Sequence, residues 1–358
     1  MSSKLMETRK SIDKVDREIA KLLDKRGKLA LDIAKAKNNR DFREESVVYV
    51  PSREKEVLKN ITSSKSILGE EALKNIYTEI ISACRNLETP TKVSFLGPWA
   101  TFSHQAAINN FGSSGYFIPS VTPIEVLSEV ESGRADFGVV PVENSNEGSV
   151  NVTLDMLVET DLKICAEISL KIEQCFLVKD PKAEILRIYS HTHALSQCRS
   201  WITKHYPDAE LISVSSTAEA AKKVSKEDFS AAIASEVAAK IYDLYILQKG
   251  IQDTRENFTR FFVIGEGSTE EPSGKDKTSL VFIVKDKVGA LYEALEIFEE
   301  NNVNLTKIES RPTKKKVWEY MFFVDFKGHV KDQNIVRAIK SLESKSVFVK
   351  SLGSYPRA

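Results

Sequence analysis

VSFLGPWATFSHQAA, residues 93–107, is the stretch on which the fold turns. Val93 to Leu96 is an apolar run of strand length, Gly97-Pro98 is a turn signal, and Thr101 and Ser103 put hydroxyls where a helix begins. Strand, turn and helix start in that order open an α/β domain. Upstream the pattern is different, because residues 5–88 read as almost pure helix. Thr89-Pro90 marks the boundary, since helices rarely run into a proline.

Working back into the helical segment, Ile12, Val15, Ile19 and Leu22 step by three and four, and the stripe resumes at Leu29 and Ile33. From Arg9 to Lys37 this predicts one helix roughly 42 Å long at 1.5 Å per residue. Asn38-Asn39 ends it, and Pro51 opens a short helix over 52–61. Ser66 to Gly69 breaks the chain again. Leu73, Ile76, Tyr77, Ile80, Ile81, Cys84 and Leu87 then line a third helix. The first helix is too long to bury its stripe alone, which implies an intertwined homodimer. Arg9, Arg26 and Lys37 fall on the same stripe. A buried cation needs an anion. Carboxylates of other helices, snorkelling of the long stems, or a polyanionic ligand would each supply an outlet, and three cations in register favour the ligand.

Downstream, short apolar runs alternate with helical ones as far as Ile264. Strand candidates are 93–96, 137–140, 163–168, 175–178, 187–190, 210–214, 231–234 and 261–264. The alternation predicts mainly parallel sheets, and the length suits two lobes with a cleft between them. Two further stretches are polar where a plain core would be apolar. DFGVVPVENSNEGSV (136–150) ends a buried strand in Glu143-Asn144-Ser145, and ENFTRFFVIG (256–265) sets Thr259 and Arg260 at a strand start. Ligands of open α/β sheets bind at strand C-termini and helix N-termini. Helix capping and turn formation are the plainer readings of Thr101, Ser103 and Asn144. Gly265 to Lys277 is a polar linker, and the elements beyond it spell βαββαβ, a ferredoxin-like α+β unit.

The bulk composition narrows the function. Lys+Arg and Asp+Glu balance at 51 each, so no global field steers the chain to nucleic acid or membrane. No apolar run of transmembrane length and no signal-peptide pattern is present. Cys84, Cys165, Cys175 and Cys198 lack CxxC spacing, which argues for reduced thiols, a cytoplasmic setting and no metal site. His191-Thr192-His193 has a metal-binding spacing but no third ligand nearby. No glycine-rich phosphate loop stands out, so no cofactor is expected.

The helical segment resembles the all-helical chorismate mutase family, on DKRGKLALDIAKAK (24–37), VVYVPSREKEVL (47–58) and IISACRNLE (80–88). The resemblance implies that Arg9 (from across a dimer), Arg26 and Lys37 hold the two substrate carboxylates and the ether oxygen. It implies Arg53 as a further cation of the pocket, Glu54 as the hydroxyl acceptor and Glu88 beside the ether oxygen. Val50 and Cys84 stand where some members carry an aspartate and a serine. A Claisen rearrangement needs neither nucleophile nor proton transfer, only a chair-folded dicarboxylate and charge stabilisation at the departing oxygen. Arginine forks and a lysine point charge suit that task.

Residues 92–265 resemble the prephenate dehydratase family, on LGP-x-x-TFSHQAA, GVVPVENSNEGSV, YSHTHALSQCR (189–199) and Thr259-Arg260-Phe261. The implied fold is two α/β lobes resembling periplasmic binding proteins, with the site between them. The resemblance implies Thr259 as the residue assisting loss of the ring hydroxyl and Arg260 as a carboxylate anchor or cleft brace. Thr101, Ser103, Glu143, Asn144, Ser145, Ser190, Gln197, Thr217 and Phe261 join it as substrate-site candidates. Trp99-Ala100 replaces the family's usual Glu-Gly, and Thr192-His193 its usual Pro-Gln.

The βαββαβ unit resembles an ACT domain, on GALYEAL (289–295) and NLTKIESRP (304–312). That implies a phenylalanine pocket across a dimer interface, with Gly289, Ala290 and Leu291 on one wall and Glu309, Ser310, Arg311 and Pro312 on the other. The expected multidomain organisation is a helical mutase domain over 1–90, a dehydratase domain over 91–268 and an ACT domain over 276–358. Together these imply a bifunctional enzyme acting on chorismate and prephenate, feedback-inhibited by phenylalanine, in a dimer or tetramer. Two competing readings are a dehydratase whose helical segment only dimerises, and a non-catalytic amino-acid sensor.

Overall fold

The computed structural model describes residues 3–38, 49–63, 65–267, 271–313 and 319–357, and forms two compact units. The first takes its residues from 1–92 together with Ile108–Tyr116. Its helices are α1 (Ser3–Asn38), α2 (Pro51–Thr62) and α3 (Glu70–Glu88). Pro51 occupies the first turn of α2, where its missing N–H is no loss, and α3 gives way to extended backbone at Thr89 ahead of Pro90. Both α1 and α2 pack on α3. The Arg85 side chain is only 5% exposed, bonded to Glu54 at 2.5 Å and to the Phe111 carbonyl at 2.6 Å. Its guanidinium also lies over the Tyr49 and Phe111 rings, at 5.2 and 5.4 Å. Gly112 follows with φ +71°, and a Cβ there would sit 2.4 Å from Ser82 Cβ, so this turn admits only glycine. Along α1, by contrast, Ile12, Val15, Ile19, Leu22, Leu29 and Ile33 are each 49–66% exposed. The stripe that the sequence pattern assigns to a core is uncovered in the single chain.

The second unit holds two α/β lobes and the C-terminal sheet. The first lobe runs β1 (Lys92–Leu96), α4 (Phe102–Phe111), β2 (Tyr116–Ser120), α5 (Pro123–Glu131), β3 (Phe137–Asn144), β4 (Gly148–Ser149), α6 (Asn151–Glu159) and β5 (Lys163–Lys171), with Lys92, the end of α4 from Ile108 and Tyr116 counted in the first unit. The second lobe follows with β6 (Cys175–Val178), β7 (Arg187–Ser190), α7 (Thr192–Gln197), α8 (Arg199–His205), β8 (Glu210–Ser213), α9 (Thr217–Val224), β9 (Ser230–Ala234), α10 (Glu236–Ile241) and β10 (Tyr245–Lys249). The chain then returns to the first lobe as β11 (Phe258–Gly265).

The first-lobe sheet is ordered β2-β1-β3-β11-β5, with β4 paired to β3, and the second-lobe sheet is ordered β10-β6-β9-β7-β8. The expectation of mainly parallel sheets does not hold. β1 pairs parallel with β3, and β7 parallel with β8 and β9, but β11 runs antiparallel to both β3 and β5, and β6 antiparallel to β9 and β10. The cause lies in the crossing: the chain leaves the first lobe through β5 and comes back through β11, and a returning strand pairs antiparallel.

The C-terminal unit consists of β12 (Asp276–Val284), α11 (Ala290–Glu300), β13 (Leu305–Pro312), β14 (Tyr320–Lys327), α12 (Gln333–Lys345) and β15 (Ser346–Pro356). Its sheet order is β13-β14-β12-β15, with antiparallel pairs throughout. One face carries Leu280, Phe282, Val324 and Phe326 against Phe298 of α11 and Leu342 of α12. The other face joins the first lobe in a common core, where Val281, Phe323, Leu352 and Tyr355 meet Leu154, Ile164 and Phe262. Gly353 makes that approach close, since a Cβ on it would stand 2.3 Å from the Ile164 carbonyl oxygen. Among the described residues, no helix is long and apolar enough to cross a membrane.

Candidate active sites

Strand alternation on β11 divides its residues between two tasks. Thr259 and Phe261 line a cleft between the lobes, about 360 Å³ in volume, while Arg260 and Phe262 face the C-terminal sheet. The cleft is also lined by Thr101, Ser103, Asn144, Glu147, Gln174, His191, His193, Gln197, Ser215, Thr217 and Asn257. Neither lysine nor arginine is among its lining residues. Anions placed there would meet hydroxyls, amides and the N-terminal turns of α4 and α9.

The hydrogen bonds around Thr259 are directional. Asn144 Oδ1 accepts from the backbone N–H of Asn146 and Glu147, at 2.9 and 3.2 Å, which fixes its carboxamide. Its Nδ2 donates to Thr259 Oγ1 at 2.9 Å and to Asn257 Oδ1 at 2.8 Å. Thr259 therefore accepts through its oxygen and keeps its own proton to give. Gln174 is buried, and its carboxamide oxygen meets no donor. An orphan acceptor in a polar cleft suits a ligand hydroxyl.

At the start of α4, Thr101 donates to the Leu96 carbonyl at 3.0 Å and accepts from His104 N–H at 3.3 Å. The preceding turn contains a cis Gly97-Pro98 bond and Ala100 at φ 72°, a left-handed conformation that favours glycine. His104, 3% exposed, stacks on Phe95 at 4.7 Å and accepts from Ala100 N–H at 3.2 Å. Burial lowers its pKa to about 4. Burial likewise raises the Cys165, Cys175 and Cys198 thiols to about 12, which leaves them unreactive packing groups.

Four predicted residues turn away from the cleft. Arg260 serves as a brace rather than an anchor, bonded to Glu167 at 2.8 Å, Asp325 at 2.5 Å and the Tyr355 hydroxyl at 2.9 Å. Burial opposes its charge, yet Tyr355, Asp325 and Glu167 hold its pKa above the ordinary value. Glu143 pairs with Lys307 at 2.9 Å. Ser145 ties down the strand start by accepting from Phe258 N–H at 3.0 Å, and buried Ser190 donates to the Ile233 carbonyl at 2.6 Å. Glu147, Gln174, Ser215 and Asn257 are polar cleft residues that sequence reasoning passed over, and His191 and His193 entered it only for their metal-binding spacing. Glu147 and Asn257 sit inside the quoted polar stretches and Gln174 just before a strand, but nothing local marks which way they point.

In the helical unit, Arg26 donates to the Ile80 carbonyl at 3.2 Å. Arg26 and Glu88 both lie within electrostatic reach of Glu54. Burial raises the Glu54 pKa, with Arg85 opposing. Cys84 is buried in α3 and Glu88 ends that helix half-buried. Arg9 and Val50 are exposed, and Arg53 faces solvent paired with Glu56 at 2.5 Å. The Lys37 backbone belongs to α1, while its side chain lies outside the described residues. These predicted residues therefore stand partly on surfaces that the single chain leaves open.

In the C-terminal unit, Gly289 precedes α11 with φ +82°, a left-handed conformation that favours glycine, and Ala290 and Leu291 follow in the first turn. On β13, alternation separates the expected wall residues. Ser310 and Pro312 are exposed, whereas Glu309 accepts from Ser149 at 3.0 Å and Arg311 binds Asp155 at 2.9 Å. Glu309 and Arg311 thus reach the dehydratase lobe from the opposite face of β13 to Ser310 and Pro312.

Three family models match the chain in succession: Chorismate mutase type II over residues 8–89, Prephenate dehydratase over 93–269 and ACT domain over 278–344. A bifunctional chorismate mutase/prephenate dehydratase of Aquifex aeolicus is 49% identical over 99% of this chain and 98% of its own. Its counterpart in Pseudomonas aeruginosa is 43% identical over 97% and 96%. The prephenate dehydratase of Arthrobacter aurescens, solved in complex with L-Phe, is 36% identical and superimposes with a TM-score of 0.69, covering 75% of this chain and 90% of that one. With 49% and 43% identity to two-activity enzymes over nearly its full length and all three regions matched in order, the chain belongs to the bifunctional chorismate mutase/prephenate dehydratase family.

Proposed function

We propose that the helical unit rearranges chorismate to prephenate and that the interlobe cleft converts prephenate to phenylpyruvate, carbon dioxide and water. The observation that carries the second step is the Asn144-to-Thr259 hydrogen bond, which leaves the threonine proton free for the departing ring hydroxyl. As the C–O bond breaks, electrons from the carboxylate C–C bond flow into the ring and aromatise it. The protein's task is donation and placement, not nucleophilic attack. In this reading Phe261 and Pro141 give the departing carbon dioxide an apolar wall, and the N-terminal turns of α4 and α9 take the carboxylates, because all of them line the cleft. No cofactor enters either step.

The reading divides the chain at 1–90, 91–268 and 276–358, and assigns the mutase pocket to Arg9, Arg26, Lys37, Arg53, Glu54 and Glu88, with Val50 and Cys84 beside them. It needs a second copy of the chain to cover the open α1 stripe and supply Arg9, so a homo-oligomer is part of the proposal. Buried free cysteines agree with a cytoplasmic setting. Phenylalanine is the effector, held by Gly289, Ala290 and Leu291 on one wall and Glu309, Ser310, Arg311 and Pro312 on the other, and β13 also touches the dehydratase lobe through Lys307, Glu309 and Arg311. Purified protein given chorismate, then prephenate, with and without phenylalanine, tests both reactions and the effector. Arg26→Ala should abolish chorismate turnover by a factor of about 100 or more while prephenate turnover stays within twofold. Full chorismate turnover by that variant would favour a merely dimerising helical segment.

A further inference from the structure

Glu147 projects from the turn between β3 and β4 in the first lobe and reaches the second. Its Oε2 lies 2.6 Å from His193 Nδ1, and its Oε1 accepts from Gln197 Nε2 at 3.1 Å. Both partners stand on α7. The contacts continue inward, with Gln197 Oε1 accepting from Asn257 Nδ2 at 3.2 Å, Asn257 Oδ1 accepting from Asn144 Nδ2 at 2.8 Å, and that same nitrogen donating to Thr259 Oγ1 at 2.9 Å.

Each carboxamide in this series has one accepting and one donating end, so the orientation of one dictates the next. A carboxylate can only accept, and Gln197 must therefore turn its NH₂ toward Glu147. Its oxygen then faces Asn257, whose NH₂ is taken up and whose oxygen faces Asn144. Both hydrogens of the Asn144 amide are then committed, one to Asn257 and one to Thr259. Thr259 is left as an acceptor toward Asn144 and a donor toward the cleft. The series also joins the lobes, because Gln197 and His193 belong to the second while Asn144, Glu147 and Thr259 belong to the first.

We infer that Glu147 is a positioning residue for dehydration: it bridges the lobes and orients Gln197 and, through it, Asn257. Asn257 then backs the Asn144 amide, itself turned by the backbone N–H groups of Asn146 and Glu147, so that Thr259 is held with its proton toward the leaving hydroxyl. His193 holds the other carboxylate oxygen and keeps the bridge in place. This rests on the dehydratase reading, and a parent protein that leaves prephenate untouched would fail that reading before any variant is compared.

The experiment is a double-mutant cycle in the full-length protein, measuring kcat and KM for prephenate. Glu147 is exposed on a turn, so Glu147→Ala should fold with an unfolding curve like the parent's. It should lower kcat about tenfold, the factor that one charge-assisted hydrogen bond is worth, with KM within about twofold. Glu147→Gln, which keeps a carbonyl acceptor for Gln197, should recover most of that loss. In a Thr259→Val background, where no hydroxyl remains to orient, Glu147→Ala should change the residual rate by less than about twofold. An equal loss in both backgrounds, a loss confined to KM, or no loss at all would overturn the inference.

Discussion

Replacing Arg260 by methionine should destabilise the joined dehydratase and C-terminal sheets by about 3 kcal/mol. The side chain is 16% exposed, and its partners Glu167 and Asp325 are 5% and 9% exposed, so removal strands charge in a dry interface. Breaking a buried pair by deleting one partner costs about 3–5 kcal/mol. The lower end applies here because each carboxylate keeps another contact: Lys277 Nζ lies 2.7 Å from Glu167, and Ser279 donates to Asp325 at 2.6 Å. Arg260→Lys keeps a charge but reaches fewer partners, and should cost about half as much. Adding Asp325→Asn to Arg260→Met removes one stranded anion and should return about 1 kcal/mol, a non-additivity that a simple loss of packing would not produce. Urea unfolding of the full-length variants at pH 7, followed by circular dichroism, gives these differences from the shift in midpoint at constant slope. A midpoint for Arg260→Met within the error of the parent would refute the argument, and so would strict additivity in the double variant.

Stability should also fall in acid through His104. Its folded pKa of about 4 lies below the ordinary 6.5, so the folded state binds fewer protons there. The contribution is complete above pH 6.5 and is lost as pH falls toward 4, by up to about 3 kcal/mol at 1.36 kcal/mol per unit. Comparing urea midpoints at pH 7 and pH 4.5 for the parent and His104→Asn should show a smaller drop in the variant. Gly353→Ala places a Cβ 2.3 Å from the Ile164 carbonyl oxygen, so backbone must shift. The expected cost is about 2–3 kcal/mol, read as a lower thermal midpoint, whereas Gly133→Ala, with open space around it but φ +68°, should cost only about 1 kcal/mol.

Much of the architecture is legible in the chain because periodicity is local. The strands at 175–178 and 187–190 fall where their apolar runs end, and Pro51 and Thr89-Pro90 mark helix limits. β10 escapes detection because it is an edge strand whose residues are mostly exposed, and β2 because Pro119 interrupts its pattern. In the site, Thr259 stands out by its company. The face taken by Arg260 does not, since one step of register would send it into the cleft, and only pairing with β3 and β5 fixes that parity. The same holds for Glu309 and Arg311 on β13. Arg85 gives no signal at all, because its partners Glu54 and the Phe111 carbonyl lie 31 and 26 residues away.

The placement of β11 between β3 and β5 has a consequence for biosynthesis. Both flanking strands leave the ribosome well before it, with the whole second lobe still to be made. Until β11 arrives, each presents a bare row of amide and carbonyl groups bordering the same gap. Nascent chains stalled within that interval would be the ones prone to cross-pair with neighbours and to recruit chaperones.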